Sequence, residues 1–97
     1  MRAVRLHEFG GADKLVYEEN VPEPTVDSGE VKVRVRACAL NHLDIWVRNG
    51  IPAYKTPLPH ILGSDIAGEV AEVGSGVRGW GKGDEVILYP VITCGKC

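Results

Sequence analysis

The sequence predicts a mainly β domain with one short helix, on three observations. Twelve Gly and six Pro cut a chain of 97 residues into short segments. Between the cuts, apolar residues mostly alternate with polar ones, the period of a strand. Only residues 41–49 place apolar side chains at helical spacing, with Leu43, Trp46 and Val47 at i, i+3 and i+4.

In chain order, residues 1–9 read as a first strand stopped by Gly10-Gly11, and residues 15–20 as a second ended by Pro22 and Pro24. The two are placed to pair as a hairpin. Residues 30–37 give the clearest signal. Val31, Val33 and Val35 alternate with Lys32, Arg34 and Arg36, which predicts a strand with one face buried and one wet. Cys38, between two alanines at the end of that strand, is expected to be buried and inert. For the helix, Asn41 suits the N-cap and Gly50 a left-handed stop. Pro52, Pro57 and Pro59 then force an extended connection, and residues 66–73 and 84–89 read as two more strands. The chain shows no internal repeat or linker, so a single domain is expected.

Composition excludes several classes of function. The net charge is -2, with Lys and Arg scattered among Asp and Glu, so no basic footprint for nucleic acid or an anionic membrane is expected. The longest apolar run, residues 86–92, is far too short to span a bilayer. Charges at Arg2 and Arg5 stand where a signal peptide needs an apolar core, and three cysteines do not suggest a disulfide framework, so a cytoplasmic location is expected.

Gly74, Gly76 and Gly79 spell G-x-G-x-x-G behind a strand-like segment, the pattern of a dinucleotide-binding loop. That fingerprint requires a helix after the last glycine and an acidic residue about twenty positions later. Trp80-Gly81-Lys82-Gly83 is a poor helix start, and a strand follows instead. The run is therefore expected to be a tight strand connection in a small barrel.

Three pieces, read together, carry a resemblance: Asn41-His42-Leu43-Asp44, then residues 58–70 (Leu-Pro-His-Ile-Leu-Gly-Ser-Asp-Ile-Ala-Gly-Glu-Val), then Val73-Gly74-Ser75-Gly76-Val77 followed by Gly83-Asp84-Glu85-Val86. Their order and spacing resemble the N-terminal catalytic domain of medium-chain dehydrogenase/reductases, the superfamily of zinc alcohol dehydrogenases and quinone oxidoreductases. The resemblance covers nearly the whole chain. It implies a GroES-like, partly open β-barrel with one short helix, and it implies that the cofactor fingerprint belongs to a separate Rossmann domain absent from these residues. On that reading the chain is truncated inside a structural zinc lobe and is inactive alone.

The resemblance also implies a site. Zinc alcohol dehydrogenases carry Cys where this chain has Asn41, and His-Glu where it has Ser64-Asp65. Asn and Ser are poor ligands for a catalytic zinc, which takes three Cys, His or carboxylate groups. The zinc-free quinone oxidoreductase branch has Asn and Gly-Ser-Asp or Gly-Ser-Glu at these places, so Asn41, Ser64 and Asp65 are the expected catalytic residues, with no catalytic zinc. Asn41 also reads as a simple helix cap. His42 stands near where the family places an Arg or His by the cofactor pyrophosphate, and is the expected cofactor contact; alone, it reads as a surface residue. Leu43 stands in place of the proton-relaying Ser or Thr. Asp44 reads as a first-turn carboxylate, and His60 as structural. Trp46 and Tyr54 suit either the wall of a pocket for a flat ligand or ordinary packing.

Cys94-Gly95-Lys96-Cys97 offers two thiolates at the spacing of one zinc knuckle. In zinc-type relatives such a pair opens the structural zinc lobe, completed by two further cysteines, so Cys94 and Cys97 are expected to be half of a structural metal site. Pairing across a dimer would supply the other half. The function implied is NAD- or NADP-dependent hydride transfer to or from a small carbonyl, alcohol or quinone, by an enzyme that is a homo-oligomer at full length. The rival is a stand-alone GroES-like barrel serving as an interaction or co-chaperonin-type module.

Overall fold

The computed structural model describes residues 1–96. They gather into two compact units, each built from two stretches: Met1–Glu23 with Leu40–Gly63, and residues 24–39 with the chain from Ser64 onward.

In the first unit, β1 (Ala3–Leu6) and β2 (Leu15–Glu18) pair antiparallel, with Ala3 opposite Glu18 and Leu6 opposite Leu15. This is the expected hairpin, with shorter strands than the pattern suggests. A 3-10 turn, Ala12–Lys14, leads the chain into β2. Leu6 is completely buried, and its backbone exchanges two bonds with His60, at 2.8 and 2.9 Å. His60 is thus structural, through its main chain. Val21 is also buried; its N–H donates to the Met1 carbonyl at 2.9 Å, and the terminal ammonium donates back to the Val21 carbonyl at 2.6 Å.

Because side chains alternate, Arg5 and His7 share the face on which Glu18 stands opposite Ala3. The Arg5 guanidinium donates to Glu18 Oε2 at 2.7 Å, and His7 Nε2 meets Glu18 Oε1. The hydrogen bond from Arg5, then that from His7, lowers the Glu18 carboxyl to about 2.

The helix α1 (His42–Asn49) begins and ends as the sequence predicts. Asn41 and Asp44 form a capping box, in which the Asn41 N–H donates to the Asp44 carboxylate at 3.0 Å. Gly50 turns the chain away with φ 91°, a value that favours glycine. The apolar stripe is less covered than expected, since Leu43 is 43% and Trp46 55% exposed.

In the second unit, β3 (Val31–Ala39), β4 (Asp65–Val73) and β5 (Glu85–Ile87) form an antiparallel sheet with β4 in the centre. Val70 on β4 is buried. Gly68 lets β3 come close: a Cβ there would lie 2.1 Å from the Arg34 carbonyl oxygen. Neither sheet closes into a barrel by hydrogen bonding.

Two expectations fail in this unit. The valine face of β3 is only partly covered: Val33 is half-buried, while Val35 is 54% exposed. Register shifts between Lys32 and Val33 and between Val35 and Ala37 break the strict alternation against β4. Alternation marks a face as apolar; burial also needs a covering layer. Cys38 is exposed instead of buried, past the second shift on the outer strand.

The glycine run forms turns between β4 and β5, with no helix after it. The Gly74 N–H donates to the Glu30 carbonyl and the Gly29 N–H to the Ser75 carbonyl, both at 2.8 Å. A Cβ on Gly74 would lie 2.0 Å from the Asp27 carbonyl oxygen. The run is a strand connection laced to the turn before β3, as its sequence context predicts.

Candidate functional site

Asn41 and His42 stand at the exposed N-terminus of α1 in the first unit. The cap occupies the Asn41 amide oxygen as an acceptor, and an Asn amide also carries donor hydrogens. The His42 ring lies edge-on to Trp46, one helical turn on, with centroids 4.9 Å apart at 67°. This pairing gives both residues a local packing role. Asp44 is tied to the cap, as a first-turn carboxylate should be.

Ser64 and Asp65 belong to the second unit, half-buried at the start of β4, where Asp65 stands opposite Ala39 at the end of β3. Asn41 follows Ala39 by two positions in the chain. An Asn amide and a Ser hydroxyl are not among the Cys, His and carboxylate groups that a catalytic zinc takes.

Cys94 is exposed in a turn in which Gly95 has φ 77° and the Lys96 N–H donates to Cys94 Sγ at 3.4 Å. Cys97 lies outside the described residues. Among the described residues, no group of three or more His, Cys, Asp or Glu is arranged to hold a metal ion.

Sequence reasoning missed a groove in the first unit, of about 380 Å³, where α1 hands over to the extended connection. Tyr54 lines it, as one reading of that aromatic anticipates, and Trp46 does not. Phe9 and Lys55 also line it. A bulky ring directly before Gly10-Gly11 was the available signal for Phe9. Its ring packs on Gly50, where a Cβ would come within 3.2 Å of Phe9 Cγ.

An open antiparallel β arrangement, a single capped helix and a glycine connection where a cofactor loop was excluded define a GroES-like fold class. Residues 27–97 match the family described as alcohol dehydrogenase GroES-like domain, and the chain belongs to it, within the medium-chain dehydrogenase/reductase superfamily. It is 38% identical over 95 residues to quinone oxidoreductase of Rattus norvegicus, an alignment covering 98% of this chain and 29% of the relative. Among solved structures, an NAD-dependent alcohol dehydrogenase superposes with a TM-score of 0.92 at 48% identity, covering 100% of this chain and 28% of that one. Escherichia coli quinone oxidoreductase in complex with NADPH superposes at 0.78 with 34% identity, covering 90% of this chain and 26% of that one. The chain thus spans under a third of the length of the relatives it matches. No helix among the described residues is long and apolar enough to cross a membrane.

Proposed function

We propose that this domain is the substrate-binding part of an NAD(P)-dependent oxidoreductase that moves hydride to or from a small carbonyl, alcohol or quinone without a catalytic zinc. The observation that carries the reading is the chemistry at Asn41, Ser64 and Asp65. Within a family of oxidoreductases, these positions hold hydrogen-bonding groups that do not suit zinc ligation.

When bound, the nicotinamide supplies or accepts the hydride. Asn41 holds the substrate oxygen: its amide donates to the carbonyl and stabilises negative charge developing there, while its cap to Asp44 fixes the side chain. Ser64 and Asp65 are the further residues this reading assigns to substrate handling, a hydroxyl that can donate or accept a hydrogen bond and a carboxylate that can accept one. His42 lies beside the positive end of α1, suited to the cofactor pyrophosphate. Cys94 and Cys97 contribute half of a structural zinc.

NADH and NADPH fluorescence titrations of the intact gene product, followed by assays with quinones, enones and alcohols, test the reading. Binding of a nicotinamide and its oxidation by one substrate class are expected. Absence of nicotinamide binding would end this reading in favour of an interaction module.

A further inference from the structure

The groove beside Phe9 and Tyr54 is preorganised. The Gly10 N–H donates to the Arg48 carbonyl at 2.9 Å, and Arg48 Nε–H returns a bond to the Gly10 carbonyl at 3.1 Å. This locks the Phe9 turn to the end of α1. Gly50 receives the Phe9 ring, and on the other side the Tyr54 N–H donates to the Ile51 carbonyl at 3.0 Å. The walls are held by backbone bonds that a ligand need not form on arrival, which reduces the ordering cost of binding.

The lining has one chemical asymmetry. Phe9, Ile51, Pro52 and the Tyr54 ring give apolar, partly aromatic walls, and Lys55 with Thr56 gives the polar end. Nearby charges are already matched: Lys14 bonds Glu8 at 2.5 Å, and Arg48 is occupied with the Gly10 carbonyl and, at 3.4 Å, Asn49 Oδ1. Lys55 has no ion-pair partner among the described residues. The groove therefore joins exposed ring surface to a cation without its own carboxylate, which is complementary to a flat body bearing a negative charge.

We propose that this groove binds a flat aromatic monoanion, an arene carboxylate, with its ring against Phe9 and Tyr54 and its carboxylate on the Lys55 ammonium. The volume of about 380 Å³ accommodates a bicyclic ring system. The groove lies at the C-terminal end of α1, whose eight residues put it about 12 Å along the helix from Asn41. It is a site in addition to the one at the helix N-terminus and does not depend on hydride transfer.

The test is calorimetric titration of the intact gene product with 2-naphthoate and with the uncharged 2-naphthamide, with amide NMR shifts locating the bound ring. Naphthoate is expected to bind about five- to tenfold more tightly than the amide, because one charge-assisted contact is at stake. Lys55→Gln removes that preference, added salt narrows it, and Tyr54→Ala weakens both ligands. Both side chains are exposed, so equal melting temperatures are expected for the variants and the parent. Equal affinity for the two ligands, a preference that survives Lys55→Gln, shifts outside residues 9 and 50–56, or no binding of naphthoate at about 10 mM would each overturn the proposal.

Discussion

Replacing Gly68 with alanine tests the account of the β3–β4 pairing. Gly68 sits mid-strand on β4, opposite Val35 on one side and Val86 on the other. The added Cβ would lie 2.1 Å from the Arg34 carbonyl oxygen and 3.1 Å from Val33 Cγ1. Since 3.0 Å is the nearest approach that real Cβ atoms tolerate, the strands must part by 3.0 − 2.1 = 0.9 Å. The obstructing atom is main chain and has no rotamer to escape into. A parting of that size lengthens the neighbouring ladder bonds beyond useful range. Losing two of them at about 1 kcal/mol each, with about 1–3 kcal/mol of overpacking, outweighs the roughly 0.4–1 kcal/mol gained by restricting the unfolded chain. The net loss is about 2–4 kcal/mol, a fall in Tm of roughly 4–16 °C at about 2–4 °C per kcal/mol for a larger chain. Thermal melts of the intact protein by circular dichroism measure it. Gly81→Ala is the control, because its only neighbour is Asp84 Oδ2 at 4.0 Å and its φ is not in the left-handed region. A Gly68→Ala variant melting with the parent, or with Gly81→Ala, would refute the steric argument.

Substitutions at three other positions probe the remaining readings. Glu18 is held at about 2, below its ordinary 4.5, so its contribution to stability is complete above the ordinary value and is lost as pH falls towards the lower one. Melts across that window should show the parent losing stability more steeply than Glu18→Gln, and parallel profiles would remove the Arg5–Glu18–His7 cluster from the account. Asn41→Ala should cost about 1 kcal/mol by breaking the cap. Asn41→Asp keeps the cap but replaces the amide donor, so near-parental Tm with kcat lowered about 100-fold is expected; unchanged turnover would leave Asn41 as a cap alone. Metal analysis of the intact protein should find zinc that Cys94→Ser removes, and a count of one half per chain would point to a site shared across a dimer.

Features governed by neighbours in the chain were legible before any coordinates. Asn41 and Asp44 three positions apart spell a capping box, Gly50 a left-handed stop, and the lack of any helix start after Gly79 the failure of a cofactor loop; each depends on backbone conformation within a few residues. The hairpin was legible for the same reason, since its two strands are adjacent in sequence. The resemblance named the family and proposed Asn41, Ser64 and Asp65 by position, without their geometry. Exposure behaved differently. Val35 follows an alternation that suggests burial, and Cys38 has two small apolar neighbours that suggest it, yet both are open, because coverage is decided by residues far away in the chain and by shifts in register against β4. Gly68 looked like any glycine in a strand; only the approach of Arg34, 34 positions earlier, shows why a side chain does not fit there. The groove of Phe9 with Tyr54 and Lys55 also arises from folding, which brings residue 9 against Gly50. Local sequence sets backbone geometry, whereas burial and close approach arise from pairings made across the fold.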